Sequence, residues 1–195
     1  MLNINLEGKT ALITGAAGQL GRVMCEVLAQ CGADIIIHYN SNAEQARLIE
    51  EKIKFMGRNA VSVQADITSQ DSIEHMKKRV SEFKMPDIII NNAVIQYEWK
   101  PLLDQDIKDY YSQFESCVMQ TVYMTKAFAP YMIKQNYGRI IAINTESAAL
   151  AEAGCSAYTS AKRGLDGIVR CFAKELGPST VSYTHLRAHE TTLHL

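Results

Sequence analysis

The sequence lacks the features that mark membrane, secreted and nucleic-acid-binding proteins. No apolar run approaches the ~20 residues that a membrane-spanning helix needs. Lys and Arg number 20 against 21 Asp and Glu, so the net charge of −1 creates no field that attracts nucleic acid or an anionic membrane. Met1 is followed by neither a basic stretch nor a long apolar segment, so no signal peptide is predicted. We therefore expect neither a membrane nor a nucleic acid as a partner.

Cysteines are few, odd in number and never in CxxC spacing. The five are Cys25, Cys31, Cys117, Cys155 and Cys171. This pattern is typical of reduced, mostly buried thiols, and together with the missing signal peptide it predicts a cytoplasmic protein. The 195 residues are 47% hydrophobic and 21% charged, which indicates one soluble globular domain.

Short apolar runs alternate along the chain with longer stretches of helical periodicity. Strands are predicted at residues 9–14, 33–39, 60–64, 87–91 and 138–143. Helices are predicted at residues 19–30, 43–56, 69–83, 104–135 and 156–176, the first of them from apolar residues at Leu20, Val23, Val27 and Leu28. This alternation predicts an α/β fold, a doubly wound parallel sheet with helices on both faces.

A glycine-rich turn, TGAAGQLG, joins the first predicted strand to the first predicted helix. It contains Gly15, Gly18 and Gly21, with Gln19 and Leu20 between the last two glycines. Glycines at such a turn let the backbone approach a pyrophosphate, and the helix N-terminus offers free N–H groups to the anion. The turn alone could equally be a tight connection, but its place at the first strand of a βαβ series favours dinucleotide binding.

A second signal lies on the last predicted helix. Tyr158 and Lys162 stand at positions i and i+4, so both side chains project from one face. A nearby ammonium favours the phenolate, lowers the tyrosine pKa and makes it a usable acid or base near neutrality. The spacing alone also describes an ordinary surface pair. Thr145, just past the fifth predicted strand, could hydrogen-bond a substrate carbonyl oxygen at the carboxyl edge of the sheet.

The motifs, and the order in which they follow one another along the chain, resemble those of the short-chain dehydrogenases/reductases. The resemblance covers residues 5–179. The matching features are the glycine turn, Asp66 after the third strand, Asn91-Asn92-Ala93 after the fourth, and Tyr158-x-x-x-Lys162. Within that family, the motifs resemble in particular those of the bacterial 3-oxoacyl-carrier-protein reductases. The resemblance implies NAD(P)-dependent interconversion of a small-molecule carbonyl and its alcohol.

The resemblance also implies residue roles. Tyr158 would be the general acid toward the carbonyl oxygen, and Lys162 would bind the nicotinamide ribose and lower the pKa of Tyr158. Asp66 would contact adenine, with Ile67 beside it, while Asn92 and Ala93 would line the cofactor cleft. The family pairs the helices predicted here at 104–135 and 156–176, so we expect a homo-oligomer.

Four positions depart from the family pattern. Gln19 replaces the middle glycine of the turn, and Val94 replaces the glycine that completes NNAG. Thr145 stands where serine is usual and keeps the hydroxyl. Cys117 occupies the position of a catalytic asparagine in many members, and a thiol is a poor hydrogen-bonding substitute. A packed helix cysteine is the simpler interpretation of Cys117.

Cofactor preference is predicted from the end of the second strand. An acid there would bind the ribose 2′-hydroxyl and repel a 2′-phosphate. The window from His38 through Tyr39, Asn40 and Ser41 to Asn42 contains no acid, although it also contains no arginine to clamp a phosphate. We therefore expect NADP(H) to be favoured over NAD(H).

Residues 181–195 do not continue the alternating pattern. The string VSYTHLRAHETTLHL lacks apolar periodicity, and its first part resembles a translated sequencing-library adapter. We predict an incomplete NAD(P)-binding domain over residues 1–180, truncated at its C-terminus relative to the family, and a non-native tail at 181–195. The helical spacing of His185, His189, Glu190 and His194 is therefore not interpreted as a metal site, and none is predicted.

Two other functions stay open. Cys117, Val94 and the predicted truncation would suit a nucleotide-binding regulator or scaffold with little catalysis. The spacing of the three glycines in the turn also suits a sugar-nucleotide epimerase, which the NNA motif after the fourth strand opposes.

Overall fold

Six parallel strands form a single sheet with helices on both faces. The computed structural model describes residues 4–179 and the backbone of residues 181–188. The strands are Thr10–Ile13 (β1), Asp34–Tyr39 (β2), Ala60–Gln64 (β3), Ile88–Asn91 (β4), Gly138–Thr145 (β5) and Val181–Ala188 (β6). Their order across the sheet is β3-β2-β1-β4-β5-β6, so the direction of winding reverses between β1 and β4. The predicted doubly wound fold is confirmed, and a crevice for ligands is expected at the carboxyl ends of β1 and β4.

The helices follow the predicted order, with one additional short helix at Ser147–Leu150 that the sequence did not predict. They are Gln19–Gln30 (α1), Ala43–Phe55 (α2), Gln70–Phe83 (α3), Ile107–Phe114 (α4), Gln120–Lys134 (α5), Ser147–Leu150 (α6) and Ser156–Leu176 (α7). The single helix predicted over 104–135 is wrong in one respect, because a π-helical turn at Glu115–Met119 separates α4 from α5. A π turn adds a residue to the helical repeat, which the apolar spacing of the sequence does not reveal.

Two apolar layers hold the sheet between its helices, because successive strand residues point to opposite faces. On one face the strand residues Ile13, Ile35, Ile37 and Ile90 pack with Cys25, Ala46, Ile49 and Ile53 of α1 and α2. On the other face Leu12, Ile36, Ile89 and Ile140 pack with Ile73, Met76, Met124 and Phe128 of α3 and α5. The near-continuous apolar strands of the sequence are those of a sheet covered on both sides.

The helix α1 is where the sequence predicts, but of the four apolar residues that indicated it only Leu28 packs against the core. Gly21, Cys25 and Ala29 are buried. Leu20, Val23 and Val27 are about half exposed, at 45%, 52% and 50%. Small residues face the sheet because α1 lies close to it. The periodicity that predicted the helix therefore came mainly from larger residues on its outer face.

A third apolar cluster fixes α7 against β5 and the π turn. It contains Cys117, Val118, Ala142, Ala161, Leu165 and Val169, with Val94 and Tyr158 packed against it. Because Ala161 lies beside Lys162 in α7, this packing sets the position of both predicted catalytic residues of that helix.

The sixth strand overturns one expectation. The backbone of β6 pairs with β5 in parallel register, from Gly138 opposite Val181 to Thr145 opposite Ala188. Sheet pairing is made by backbone groups and does not require apolar periodicity, so the expectation that the pattern ends near residue 180 is wrong for this backbone. That these residues are non-native stays a prediction. Residues 189–195 and the side chain of His185 lie outside the described residues, and so do the other histidines and Glu190 of the rejected metal site.

In the part of the chain that the structure describes, no helix is long and apolar enough to cross a membrane. Within the same residues, no group of three His, Cys, Asp or Glu side chains could hold a metal ion. All five cysteines are free, and three of them, Cys25, Cys117 and Cys155, are buried. The prediction of unpaired, mostly buried thiols is confirmed.

Candidate active site

The glycine-rich turn begins at the end of β1 and leads into α1. Gly15 has a φ of +63°, and a Cβ atom on it would lie 3.0 Å from the Cα atom of Ala93. A Cβ atom on Gly21 would lie 2.3 Å from the carbonyl oxygen of Gly15. Gly18 is the N-cap of α1, and the first turn of that helix contains no acidic residue. The turn therefore packs too closely to accept side chains at Gly15 and Gly21, and it places the positive end of a helix dipole at the carboxyl edge of the sheet.

Thr14 ties this turn to the end of β4. The backbone N–H groups of Asn92 and Ala93 donate to Thr14 Oγ1 at 2.9 and 3.0 Å. Asn92 Nδ2 also donates to the carbonyl oxygen of Thr14 at 3.0 Å. The structure thus brings both predicted residues that follow β4 into contact with the glycine turn.

His38 is a site residue whose role the sequence interpretation missed. Its Nδ1 accepts a hydrogen bond from the N–H of Gly15 at 3.1 Å, and its Nε2 donates to the carbonyl oxygen of Ala65 at 3.0 Å. Burial lowers the pKa of His38 from 6.5 to about 4, so the ring is neutral and Nδ1 is free to accept. The available signal was a single polar residue inside the apolar run of β2.

Gln120 was also missed. Its side chain is 1% exposed, and its Oε1 accepts from the hydroxyl of Thr14 at 2.7 Å. Its Nε2 donates to the carbonyl oxygens of Ala93 at 3.0 Å and Ser116 at 2.6 Å. One amide therefore connects the glycine turn, the segment after β4 and the π turn.

The predicted adenosine side of the cleft lies at the ends of β2 and β3. The residues predicted there are Tyr39, Asn40 and Ser41 after β2, and Asp66 and Ile67 after β3. Asn40, Ser41 and Asp66 are exposed, Tyr39 is half-buried and Ile67 is buried. The carboxylate of Asp66 accepts from the backbone N–H and hydroxyl of Thr68 at 2.9 and 2.7 Å, which fixes its orientation. Gln19 and Leu20 are exposed at the start of α1.

Tyr158 and Lys162 meet as their spacing predicts. Lys162 Nζ lies 5.5 Å from the centroid of the Tyr158 ring. Lys162 is 4% exposed, and its Nζ donates to the carbonyl oxygen of Ile143 in β5 at 2.7 Å. Asn144 Nδ2 donates to the carbonyl oxygen of Lys162 at 3.0 Å, which holds α7 on the strand. The result is a buried ammonium beside the aromatic ring of Tyr158, at the carboxyl end of β5.

Thr145 and Cys117 border this pair. Thr145 is the last residue of β5 and is fully buried, and its hydroxyl accepts from the N–H of Ser147 at 3.1 Å. Cys117 lies in the π turn and is 2% exposed. Burial raises the pKa of the Cys117 thiol, although the charge of Lys162 opposes part of that shift. The thiol is therefore protonated at neutral pH and supplies no negative charge to the site.

Sequence comparison agrees with this geometry. The family model described as short chain dehydrogenase matches residues 9–190. A hydroxynaphthalene reductase of Aspergillus fumigatus is 30% identical over 173 residues, which cover 88% of this chain and 62% of the relative. A 3-oxoacyl-[acyl-carrier-protein] reductase of Staphylococcus aureus is 28% identical over 179 residues, which cover 86% of this chain and 68% of the relative. The chain thus spans about two thirds of the length of these relatives.

Solved structures share the fold at similar identity. A 7α-hydroxysteroid dehydrogenase with NADH and 7-oxo glycochenodeoxycholic acid has a TM-score of 0.89 and 27% identity, covering 95% of this chain and 72% of its own. A short chain dehydrogenase of Burkholderia cenocepacia with NADP has a TM-score of 0.85 and 28% identity. The match covers 94% of this chain and 74% of that one. With the motifs in their expected places and a family match over most of its length, this chain belongs to the short-chain dehydrogenase family.

Proposed function

We propose that this chain is an NAD(P)-dependent oxidoreductase that interconverts a small-molecule carbonyl and its alcohol, with Tyr158 as the general acid and base. The observation that carries the proposal is the buried ammonium of Lys162, 5.5 Å from the ring centroid of Tyr158. Both residues lie at the sheet edge that also carries the glycine turn, so a cofactor and a proton donor would share one crevice.

The residues present fit a dinucleotide. Gly15 and Gly21 leave no room for a Cβ atom where the turn packs on Ala93 and on its own backbone. The helix N-terminus that follows the turn carries no acidic residue in its first turn, which suits a pyrophosphate. The holding residues would be Gly15, Gly18, Gln19, Leu20 and Gly21 for the pyrophosphate, Tyr39, Asn40, Ser41, Asp66 and Ile67 for the adenosine side, and Asn92, Ala93, Tyr158 and Lys162 for the nicotinamide side.

NADP(H) is the cofactor that we propose over NAD(H). Asn40 and Ser41 are exposed at the end of β2, and residues 38–42 include no carboxylate that would repel a 2′-phosphate. One similar structure holds NADH and another holds NADP, so the family supports either cofactor. The preference therefore rests on the residues of this chain alone.

The chain's own groups would act as follows in reduction. When bound, the reduced nicotinamide ring supplies the hydride that adds to the carbonyl carbon. Tyr158 donates its hydroxyl proton to the carbonyl oxygen, and the positive charge of Lys162 stabilises the phenolate that is left. Thr145 would orient the carbonyl oxygen, because its hydroxyl accepts from the N–H of Ser147 and keeps its own proton to donate. Oxidation of the alcohol reverses these proton movements.

Cys117 supports a second candidate function, a nucleotide-binding protein with weak catalysis. Where the resemblance implies an asparagine, the chain has a buried, protonated thiol beside Lys162. A thiol is a weak hydrogen-bond donor and acceptor, so a proton relay through this position would be impaired while cofactor binding is kept.

Tyr158→Phe tests the proposal directly. In assays with NADPH and a panel of ketones, the variant should lose about 10²–10⁴-fold in kcat/KM because the proton donor is gone. NADPH affinity, measured by calorimetry, should be largely kept, and it should exceed NADH affinity in the parent chain. Tyr137→Phe is the matched control, because Tyr137 directly precedes β5 and so lies at the opposite edge of the sheet from the site.

Two results would contradict the proposal. If Tyr158→Phe keeps near-parental turnover, Tyr158 is not the acid. If the parent chain binds NADPH but reduces no ketone, the nucleotide-binding function is the better description. NADH binding tighter by tenfold, about 1.4 kcal/mol, would reverse the cofactor preference alone.

The chain is also proposed to form a homo-oligomer in the cytoplasm. Ile107, Tyr111 and Phe114 leave 67%, 67% and 47% of their surfaces exposed on α4, in the region that the family pairs between subunits. Light scattering on the purified chain would establish the number of subunits.

A further inference from the structure

The segment between β4 and α4 brings two aromatic residues to the proposed proton donor. The ring centroids of Trp99 and Tyr158 lie 6.1 Å apart, and the ring planes are inclined by 31°. The hydroxyl of Tyr97 accepts a hydrogen bond from the backbone N–H of Tyr158 at 3.0 Å. Both aromatic residues therefore border the first turn of α7 where the proposed chemistry takes place.

Hydrogen bonds fix this segment in position. Gln113 Nε2 donates to the carbonyl oxygen of Ile95 at 2.8 Å. The N–H of Lys100 donates to Gln105 Oε1 at 3.0 Å. Because these bonds stand on both sides of Trp99, the indole is held beside Tyr158 rather than carried on a free loop.

The indole presents an apolar surface that the protein itself does not cover. Trp99 is 37% exposed and Ile95, in the same segment, is 39% exposed. The segment starts directly after β4, and ligands bind at the carboxyl ends of the strands in this type of sheet. A partly exposed indole at such a place favours flat rings, since aromatic pairs gain from offset stacking that a puckered saturated ring cannot make.

We propose that Trp99 makes this site selective for carbonyl compounds whose carbonyl group is carried on a flat, partly aromatic ring system. The proposal rests on the function proposed above, because it takes Tyr158 as the group that meets the carbonyl oxygen. Trp99 would contact the ring, while Tyr97 positions Tyr158 through its backbone. Saturated carbonyl compounds of equal size would bind more weakly.

A matched pair of ketones tests the selectivity. β-Tetralone and β-decalone share one fused bicyclic skeleton, and one ring is aromatic in the first alone. Equilibrium dialysis against the whole chain with oxidised NADP prevents reduction and measures binding. We expect β-tetralone to bind about fivefold more tightly than β-decalone. Trp99 is the only tryptophan in the sequence, so its fluorescence should also change as β-tetralone is added.

Variants of Trp99 identify the source of the preference. Trp99→Leu keeps apolar bulk but removes the aromatic face, so the two ketones should bind with equal affinity. Trp99→Phe should keep most of the preference. Phe55→Leu is the control, because Phe55 is 94% exposed at the end of α2 and should leave the preference unchanged.

The outcomes separate this inference from the function on which it rests. Equal binding of the two ketones to the parent chain, a preference that survives Trp99→Leu, or binding of neither ketone would overturn the role of Trp99. If a preference dependent on Trp99 is found but NADPH reduces neither ketone, the proposed reaction fails and the aromatic binding site stands. Equal reduction of both ketones with no preference would leave the reaction and remove the selectivity.

Discussion

The carboxyl ends of β1, β2 and β3, the side proposed to hold the dinucleotide, are joined directly by backbone hydrogen bonds. The carboxyl end of β5, on the proposed catalytic side, is instead joined to α7 through side chains. On the first side, the N–H of Ala16 donates to the carbonyl oxygen of His38 at 2.9 Å, and the N–H of Ala65 donates to that of Tyr39 at 3.1 Å. The His38 ring adds a link between Gly15 and Ala65. On the second side, Lys162 reaches Ile143 from α7.

The two sides also differ in how fully their buried polar groups are paired. Among the described residues, the side-chain amide of Asn91, Gln113 Oε1, Ser116 Oγ and Thr10 Oγ1 are buried without a hydrogen-bond partner. The first three belong to β4, α4 and the π turn, whereas Thr10 is the first residue of β1. Buried polar groups of this kind are usually satisfied by ordered water. The proposed catalytic side therefore holds more of the buried polar groups that are left for solvent or ligand to satisfy than the side proposed to hold the dinucleotide.

Gly21→Ala should cause the largest change, a loss of NADPH affinity. It should leave the region around Trp99 unaffected. The new Cβ atom would lie 2.3 Å from the carbonyl oxygen of Gly15, so the turn must move. We expect NADPH affinity to fall by about a hundredfold or more, a loss of at least about 3 kcal/mol, measured by calorimetry. Trp99 fluorescence should stay unchanged, since Trp99 lies on the other side.

Gly167→Ala is the matched control. Gly167 also lies within a helix, but a Cβ atom on it would meet nothing within 4 Å. Replacing glycine by alanine inside an open helix should stabilise the protein by about 1 kcal/mol and leave NADPH binding intact. Equal NADPH affinity in both variants would show that the turn tolerates a side chain and that the two sides are not distinct in this way.

His38 should make the dinucleotide side sensitive to acid. Its pKa is lowered from 6.5 to about 4 by burial, so the unfolded chain binds the proton more readily than the folded one. The contribution to stability is then complete above pH 6.5 and is lost as the pH falls toward 4. The loss should reach about 3 kcal/mol in the free energy of unfolding, measured by urea titration at several pH values.

Two variants isolate this contribution. His38→Asn removes the titrating group, so its stability should fall less between pH 7 and pH 4 than that of the parent chain. His75→Asn should keep the parental pH dependence, because His75 is exposed on α3. Identical pH profiles for the parent and His38→Asn would mean that His38 is not held neutral in the folded protein.

The same contrast explains what the sequence could predict. The strands, the glycine turn and the Tyr158–Lys162 pair depend on spacing within one element, and spacing is visible in sequence. No local sequence pattern predicts the π turn, β6 or the hydrogen bonds of His38 and Gln120. These features depend on backbone geometry or on partners that are distant in the sequence. The exposed Val23 illustrates the limit within one helix, since periodicity locates the helix without telling which face meets a closely packed sheet.

Gln120 gives the smallest of these effects and the sharpest test, because it bridges the two sides. Its amide joins Thr14 to the carbonyl oxygens of Ala93 and Ser116. Gln120→Met keeps the volume but leaves two buried carbonyl oxygens without this donor, which should cost about 2 kcal/mol in the free energy of unfolding. Gln30→Leu, at an exposed position of α1, should cost much less. If Gln120 also keeps the glycine turn and the segment after β4 in place, Gln120→Met should both weaken NADPH binding and shift Trp99 emission. A change in only one of these two measurements would show that the two sides are held independently.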